Sequence, residues 1–343
     1  MESVAEEYNV TYYLNPNLGT SLYGIGKAYD FCIDKAQTDV FMVFHADMML
    51  GKWADLKAYQ CLAGNAAVCS TRVEPPLHPN NGEKILMDFG LWPEEFKKEQ
   101  FNTYVQSQLD SQDVSQGIFA PWMMFKKDFQ ELGGHDPQLR SCREDSDIFN
   151  RMKLKGYTFV QPWNSLVYHL TGRGAGSFDG DPERHEAWKA EMNNSTRDFI
   201  RKWGSNVNHT PLMDPIVSPK YNTGFIVSNC STQLLNILEP WCDTIYIQDN
   251  TLRDTYCTTE QPNTAYCLSD RVRTEEFLNE DKPNNILVQF DGAKLTNENF
   301  QLLTQLPQII EQTNELGQFE LDIFTITIKD LTQYQNNLIH IYN

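Results

Sequence analysis

Three short stretches hold the residue types from which a reactive site can be built. The apolar run Val40-Phe41-Met42-Val43-Phe44 ends on His45-Ala46-Asp47, Arg143-Glu144-Asp145-Ser146-Asp147 opens a helical pattern, and Val167-Tyr168 ends on His169. A carboxylate that closes a buried strand meets whatever lies in the crevice beyond a parallel sheet. A hard oxygen ligand there suits magnesium or manganese bridging a diphosphate, and the imidazole of His169 would add one nitrogen to the same divalent ion. Asp145 stands where exposed helix N–H groups stabilise the anion, so it is suited to accept a proton as a general base. Each residue also has a plainer reading. Asp47 caps a turn, His169 is a hydrogen-bonded core histidine, and Glu144, Asp145 and Asp147 are ordinary first-turn acids. What weighs against the plainer set is that Asp47 and His169 both end strands.

The surrounding pattern supplies the elements that would position them. Residues 10–14 are β-rich and stop at a turn over 15–19, residues 20–36 repeat apolar positions with a helical period, and the 40–44 strand follows. This is βαβ logic, which implies a parallel sheet with its ligand crevice at the strand C-termini. A helix over 55–63, strands over 66–70 and 119–125, and a short helix over 127–132 come next. The turn Gly133-Gly134-His135-Asp136, a helix over 145–154 and strands over 157–160 and 166–168 complete the sheet. Residues 72–117 read as irregular, a length of loop that usually serves function or motion. Arg173, in the glycine-rich Thr171-Gly172-Arg173-Gly174, has the charge to cover phosphates, while Trp92, Trp122 and Trp163 have faces that stack on sugar rings, although tryptophan more often fills cores.

The 343 residues favour two domains, with 41% hydrophobic residues and 41 aromatic ones to pack them. We read residues 1–210 as the first domain, 211–220 as a linker, and 221–343 as a smaller α/β domain of strands at 224–227, 244–247, 286–290 and 319–328 and helices at 232–238 and 298–312. A net charge of −18 argues against nucleic acid as a partner and would repel an anionic donor unless a cation neutralised the site. There is no apolar run long enough for a membrane span and no signal-like start. Eight scattered cysteines without a Cys-x-x-Cys pair fit reduced thiols, hence a cytoplasmic protein. The oligomeric state is not legible.

Residues 10–205 resemble the inverting family 2 glycosyltransferases of the GT-A fold. The resemblance is carried by residues 15–19 before a helix, His45-Ala46-Asp47 at a strand end, residues 125–136 ending in Gly-Gly-His-Asp, Arg143-Glu144-Asp145-Ser146-Asp147 with Arg151 and Gly156-Tyr157, and Val167-Tyr168-His169. It implies an α/β fold with a mostly parallel GT-A-type sheet flanked by helices. It implies Asp47 and His169 as ligands of manganese or magnesium, and Asp145 as the base that deprotonates the acceptor hydroxyl. Asn17, Gly19, His45 and Arg173 would line a nucleotide-sugar donor, most often UDP-linked. Trp122, Gly134, His135 and Glu144 would face a glycan, lipid-linked or protein acceptor.

The sequence departs from the family in three places. His45 replaces the first Asp of the Asp-x-Asp motif, Tyr29-Asp30 stand where Arg-Asn is common, and the family's opening strand has no counterpart, which would expose strand edges. Arg197-Asp198-Phe199-Ile200-Arg201-Lys202-Trp203 resembles the signature of processive synthases but has an extra residue, so it reads as a helix beside the acceptor groove in an enzyme adding one sugar per event. Two other readings stay open. One is a non-catalytic glycan- or nucleotide-binding assembly protein on a degenerate transferase domain. The other is a nucleotidyltransferase, which would need a basic Gly-rich loop where residues 15–27 offer only Lys27.

Overall fold

The computed structural model describes residues 2–14, 24–171, 182–274 and 284–341. In chain order, its first part contains α1 (Glu2–Glu7), α2 (Ile25–Lys35), β1 (Val40–Val43), β2 (Met48–Leu50), α3 (Ala54–Gln60), β3 (Ala66–Cys69), β4 (Thr71–Glu74), β5 (Ile85–Leu86), α4 (Lys98–Gln108), β6 (Val114–Ser115) and β7 (Trp122–Phe125). It continues with α5 (Lys126–Glu131), α6 (Glu144–Leu154), β8 (Thr158–Pro162), β9 (Leu166–His169) and α7 (Pro182–Trp203). The C-terminal part adds β10 (Thr223–Ser228), α8 (Thr232–Leu238), β11 (Thr244–Ile247), α9 (Asn250–Glu260), α10 (Leu268–Arg271), β12 (Val272–Thr274), β13 (Ile286–Asp291), α11 (Asn297–Thr304), α12 (Leu306–Thr313), β14 (Gly317–Leu321) and β15 (Phe324–Ile328).

The protein is α/β, with three sheets in which most strands share a direction. The first has the order β1–β7–β3–β8–β6, with β1, β3 and β8 running together and β7 and β6 opposed. All four residues of β3 are buried, as a central strand covered on both faces demands. The second sheet, β2–β9–β4–β5, has only β2 opposed, and the third, β12–β11–β10–β13–β15–β14, only β15.

The first two sheets are successive halves of one bent surface. β3 runs into β4 through Ser70, and β8 into β9 through a turn holding Ser165. The Ser165 hydroxyl lies 2.7 Å from the Ser70 hydroxyl and 2.7 Å from the Ala54 carbonyl, and both serines are fully buried. The strand over 166–168 therefore does not complete the first sheet, as its sequence suggested. It lies in the middle of a second one.

Two other elements differ from expectation. Residues 10–14 join no ladder among the described residues. Their side chains are exposed, Tyr13 rests edge-on against Phe31 at 5.2 Å, and β1 is left as an edge strand. A β-rich composition makes a strand only where a neighbour offers its backbone groups. Within the stretch 72–117, α4 is a regular helix whose apolar stripe is thin. Phe101 and Val105, one turn apart, are 1% and 0% exposed while most of the helix is polar.

The core of the site-bearing part is formed by Phe41 and Val43 of β1, Trp122 and Met124 of β7, Phe129 of α5 and Ile148, Phe149 and Met152 of α6. The largest apolar cluster lies between residues 221 and 328, around Phe225, Val288, Phe290 and Phe324. A buried ionic network spans the gap between these bodies. From α7, Arg201 meets Glu239 at 2.6 Å and Asp198 at 2.7 Å, Arg197 meets Glu260 at 3.0 Å, and Arg271 closes on Glu239 from the far side at 2.5 Å. Glu239 is fully buried. Burial alone would raise its pKa, but Arg271 and Arg201 outweigh that and hold it down at about 2.

Because that folded-state value lies below the ordinary glutamate value, the carboxylate stabilises the fold above the ordinary value, and the stabilisation fades as pH falls toward about 2. We expect Glu239→Gln to cost about 3–5 kcal/mol at neutral pH, the usual penalty for breaking a buried pair. In urea melts from pH 7 to pH 2.5, its deficit relative to the native chain should shrink steadily below about pH 4. A deficit independent of pH would contradict this.

Candidate functional site

The pairing of β2 with β9 brings the first two residues of the site together. Met48 lies opposite His169, and the Leu170 amide donates to the Asp47 carbonyl at 3.0 Å. His169 Nε2 then stands 3.4 Å from Asp47 Oδ2. On the other side of β9, β4 pairs in parallel with Val73 opposite Tyr168, which aligns the next residue, Glu74, with His169. Glu74 Oε1 lies 2.8 Å from His169 Nδ1.

Glu74 is 2% exposed and also receives Lys84 at 3.0 Å and Arg72 at 3.2 Å. Burial would raise its pKa, but His169, Arg72 and Lys84 bring it to about 2. The contact with His169 lowers Asp47 below the usual carboxylate range. Burial disfavours the charged form of His169, but Asp47 and Glu74 outweigh burial and raise its pKa.

The N-terminus of α6 supplies the second half. Arg143, with φ of 71°, turns the chain into the helix, so that Glu144 and Asp145 fall in its first turn. Glu144 is buried, and burial with the neighbouring Asp145 charge pushes its pKa up to about 8. Burial also raises Asp145, opposed by His135 and His45. Tyr29 of α2 lies parallel to the His45 ring at 6.0 Å and tilted to His135 at 5.9 Å. Its pKa is raised by burial first and then by Asp145, Glu144 and Asp47. Burial lowers the pKa of His45 against the pull of Asp145 and Asp47.

Asp47 and Asp145, carried by different elements, both bear on the charge states of Tyr29 and His45. Among the described residues, seven buried side-chain nitrogen or oxygen atoms lack a hydrogen-bond partner. Five are His45 Nε2, Trp122 Nε1, His135 Nε2, Glu144 Oε2 and Asp145 Oδ1; a sixth, Arg72 Nε, borders the same cluster. Native folds satisfy nearly all such atoms, so this concentration marks a place where polar groups are kept available.

Behind the site, the turn after α5 is held from both sides. Gly133 and Gly134 have φ of 85° and 72°, the left-handed region that glycine adopts without strain. Asp30 of α2 accepts the His135 amide at 3.1 Å and meets His135 Nδ1 at 2.6 Å. From α6, the fully buried Arg151 donates to the Leu132 carbonyl at 2.7 Å and the Gly134 carbonyl at 2.5 Å, with Asp147 at 2.8 Å. The acid at position 30 thus has a local use in fixing His135.

Of the residues singled out in the sequence, Asp47 and His169 meet directly, and His45, Glu144 and Asp145 gather around Tyr29. Asn17, Gly19 and Arg173 lie outside the described residues. Trp122 requires correction as a sugar-stacking residue. It is fully buried in β7, packed on Phe41 at 5.4 Å and Phe149 at 5.7 Å, and has no face to offer a ligand. His135 is 3% exposed and Gly134 lies beneath Asp30, so both support the site from behind, and neither faces an acceptor.

Glu74, Arg72 and Lys84 escaped the sequence reading, because residues 72–117 look like loop. A signal was present: Thr71-Arg72-Val73-Glu74 alternates β-branched and charged residues just before Pro75-Pro76, the pattern of a short strand with charges on one face. Among the described residues, no group of three or more His, Cys, Asp or Glu side chains is arranged to hold a metal ion. Asp47 and His169 offer two donors, one hard oxygen and one imidazole nitrogen, of the types that divalent ions accept.

No protein-family model matches the chain, and no curated protein matches it. Among solved structures, a crystal structure of GalNAc-T7 with UDP, GalNAc and Mn2+ aligns at 11% identity with a TM-score of 0.35, over 59% of this chain. The chain spans 41% of the length of that protein, and a likeness this slight carries no argument. No helix among the described residues is long and apolar enough to cross a membrane.

The turn behind the site can be tested directly. A Cβ at Gly134 would sit 2.8 Å from Asp30 Oδ2 on a left-handed backbone. Gly134→Ala should therefore lower stability by about 1–2 kcal/mol from the backbone alone. It should also free the His135 ring, read as a shifted imidazole resonance; an unchanged melt and spectrum would refute the constraint.

Proposed function

We propose that the chain is a divalent-metal-dependent inverting glycosyltransferase that moves one sugar from a nucleotide-sugar, UDP-linked by the family resemblance, to a hydroxyl of a glycan or glycoconjugate. The observation that carries this reading is the Asp47–His169 pair, an oxygen and an imidazole nitrogen 3.4 Å apart, together with an Asp145 oxygen that has no hydrogen-bond partner and shares the His45 environment with Asp47. We further read residues 1–210 as the transferase unit and 221–343 as an appended α/β unit, with 211–220 between them.

The mechanism follows from what the residues can do. Asp47 and His169 would hold manganese or magnesium, whose charge neutralises the diphosphate as it leaves. The Asp145 carboxylate, which is not tied up in an ion pair with a lysine or arginine among the described residues, would take the proton of the acceptor hydroxyl. The acceptor oxygen forms its bond to the anomeric carbon as the bond to the phosphate oxygen breaks, and the electron pair departs with the nucleoside diphosphate. One in-line displacement inverts the anomeric centre. Burial and the Asp145 charge push Glu144 up to about 8, which favours its protonated form, and in that form it would donate a hydrogen bond to a sugar hydroxyl. That two donors among the described residues face the ion site favours a second reading, a non-catalytic binding protein on the same scaffold.

A thermal-shift panel of UDP-, GDP- and TDP-sugars with manganese, repeated in EDTA, separates these readings. Stabilisation by one nucleotide class that EDTA abolishes supports the enzyme, while no shift with any donor favours the binding protein. Asp47→Ala should remove the manganese-dependent part. Asp145→Asn should cut transfer by about 10²–10⁴-fold with donor affinity nearly unchanged. Because the Asp145 pKa is raised and the base must be ionised, the acid limb of the rate profile should lie above the ordinary aspartate value, near pH 4. A fully active Asp145→Asn enzyme would sink the base assignment.

A further inference from the structure

We propose that Glu74 is a positioning residue for the ion site: it fixes His169 as the tautomer with hydrogen on Nδ1 and thereby presents the Nε2 lone pair beside Asp47. This rests on the reading of Asp47 and His169 as metal ligands. It goes beyond that reading, because it names a residue that touches neither donor nor ion and states how it acts.

The geometry is specific. Glu74 ends β4 at 2% exposure, and its register against β9 leaves its carboxylate 2.8 Å from Nδ1 while Nε2 turns to Asp47 at 3.4 Å. Nδ1 can meet a carboxylate this closely only as a donor. Glu74 is already paired with Lys84 on Oε2 at 3.0 Å and with Arg72 on Oε1 at 3.2 Å. An N–H on Nδ1 satisfies this contact in the protonated ring and equally in the neutral ring that an ion would need.

In that neutral form, Nε2 carries a lone pair and confronts an anionic oxygen at a separation too long for a good hydrogen bond. Two acceptors facing one another favour a cation between them, either a proton or a metal. Ligating histidines commonly hand their other N–H to a carboxylate, which orients the ring and raises its basicity. Here the orienting carboxylate is itself fixed, since Lys84 is 7% exposed and the Arg72 guanidinium lies 4.0 Å over the Phe119 ring. The ring is thus set before any ligand arrives.

The test uses the full chain without nucleotide. Manganese affinity is read from the electron paramagnetic resonance signal of free aquo-manganese, and the His169 tautomer from long-range proton–nitrogen correlations, assigned against His169→Gln. The charge-balanced double variant Glu74→Leu with Lys84→Met removes the acceptor and its main cation together. It should shift His169 toward the Nε2–H tautomer and weaken manganese binding by about 10–100-fold. Glu74→Gln with Lys84→Gln keeps a carbonyl acceptor for Nδ1–H, so the native tautomer and part of the affinity should return.

If the apolar pair fails to fold, Glu74→Asp, shortened by one methylene, should show the same direction of change on a smaller scale. A folded apolar variant with native tautomer and native affinity would overturn the proposal while leaving the ion site standing. A native chain that binds no manganese would overturn the proposal and the metal reading together.

Discussion

The arrangement hangs on one buried carboxylate, Asp147. It is fully buried in α6 and is met by Arg151 at 2.8 Å, Lys202 at 2.6 Å and the Trp203 indole N–H at 2.9 Å. Burial alone would raise its pKa, but Lys202 and Arg151 more than reverse that. Each partner extends the hold to another element. Arg151 reaches the carbonyls of Leu132 and Gly134, Lys202 also binds Asp136 at 2.7 Å, and Trp203 anchors the end of α7. The helix that carries Asp145, the turn that carries His135 and the long helix that leads out of the site-bearing part are therefore fixed relative to one ion. An apolar cluster of equal volume would often be as stable as an ion pair so buried, whereas removing one partner alone leaves a buried charge uncompensated.

This anchoring gives a physical reading of the stretch from Arg197 to Trp203. Its resemblance to a synthase signature suggested a helix beside an acceptor groove. Its side chains divide instead between two buried bodies. Lys202 and Trp203 reach back to Asp147, while Arg197 and Arg201 reach forward to Glu260 and Glu239. The residues four apart, 197 and 201, share one face of α7, as helical spacing requires. α7 is a two-sided clamp, tied to α6 through Lys202 and Trp203 and to the C-terminal part through Arg197 and Arg201.

Much of the fold was legible because its signals are local. The β1 strand end at His45-Ala46-Asp47, α6 with its acids first and Gly156 last, and α8 over residues 232–238 follow directly from periodicity and end residues. What escaped depends on pairing across the chain. Whether residues 10–14 form a strand is decided by a neighbour, and that β9 belongs to the second sheet is decided by Ser70 and Ser165 bending both strands at one level. Glu74 is the sharpest case. Its chemistry comes from lying opposite His169, a relation created by the β4–β9 register that no window of sequence contains. Trp122 shows the reverse error, because a tryptophan near a suspected site suggests stacking until burial removes its face.

The acidity of the chain can be reconciled with an anionic ligand through the same local accounting. A net charge of −18 is a property of the whole surface, and screening confines exposed charges to about 10 Å at ordinary ionic strength. Within the site, buried groups act at closer range and in a medium of lower dielectric. There, Glu74 is matched by Arg72 and Lys84, Asp147 by Arg151 and Lys202, and burial with the Asp145 charge favours the protonated form of Glu144. Among the described residues of the site, the carboxylates without a fixed cation of their own are Asp47, beside the ambivalent His169, and Asp145, whose Oδ1 has no hydrogen-bond partner. These two carboxylates, one beside an imidazole and one within a cluster of unsatisfied polar atoms, are the electrostatic basis of the metal and base roles proposed for them.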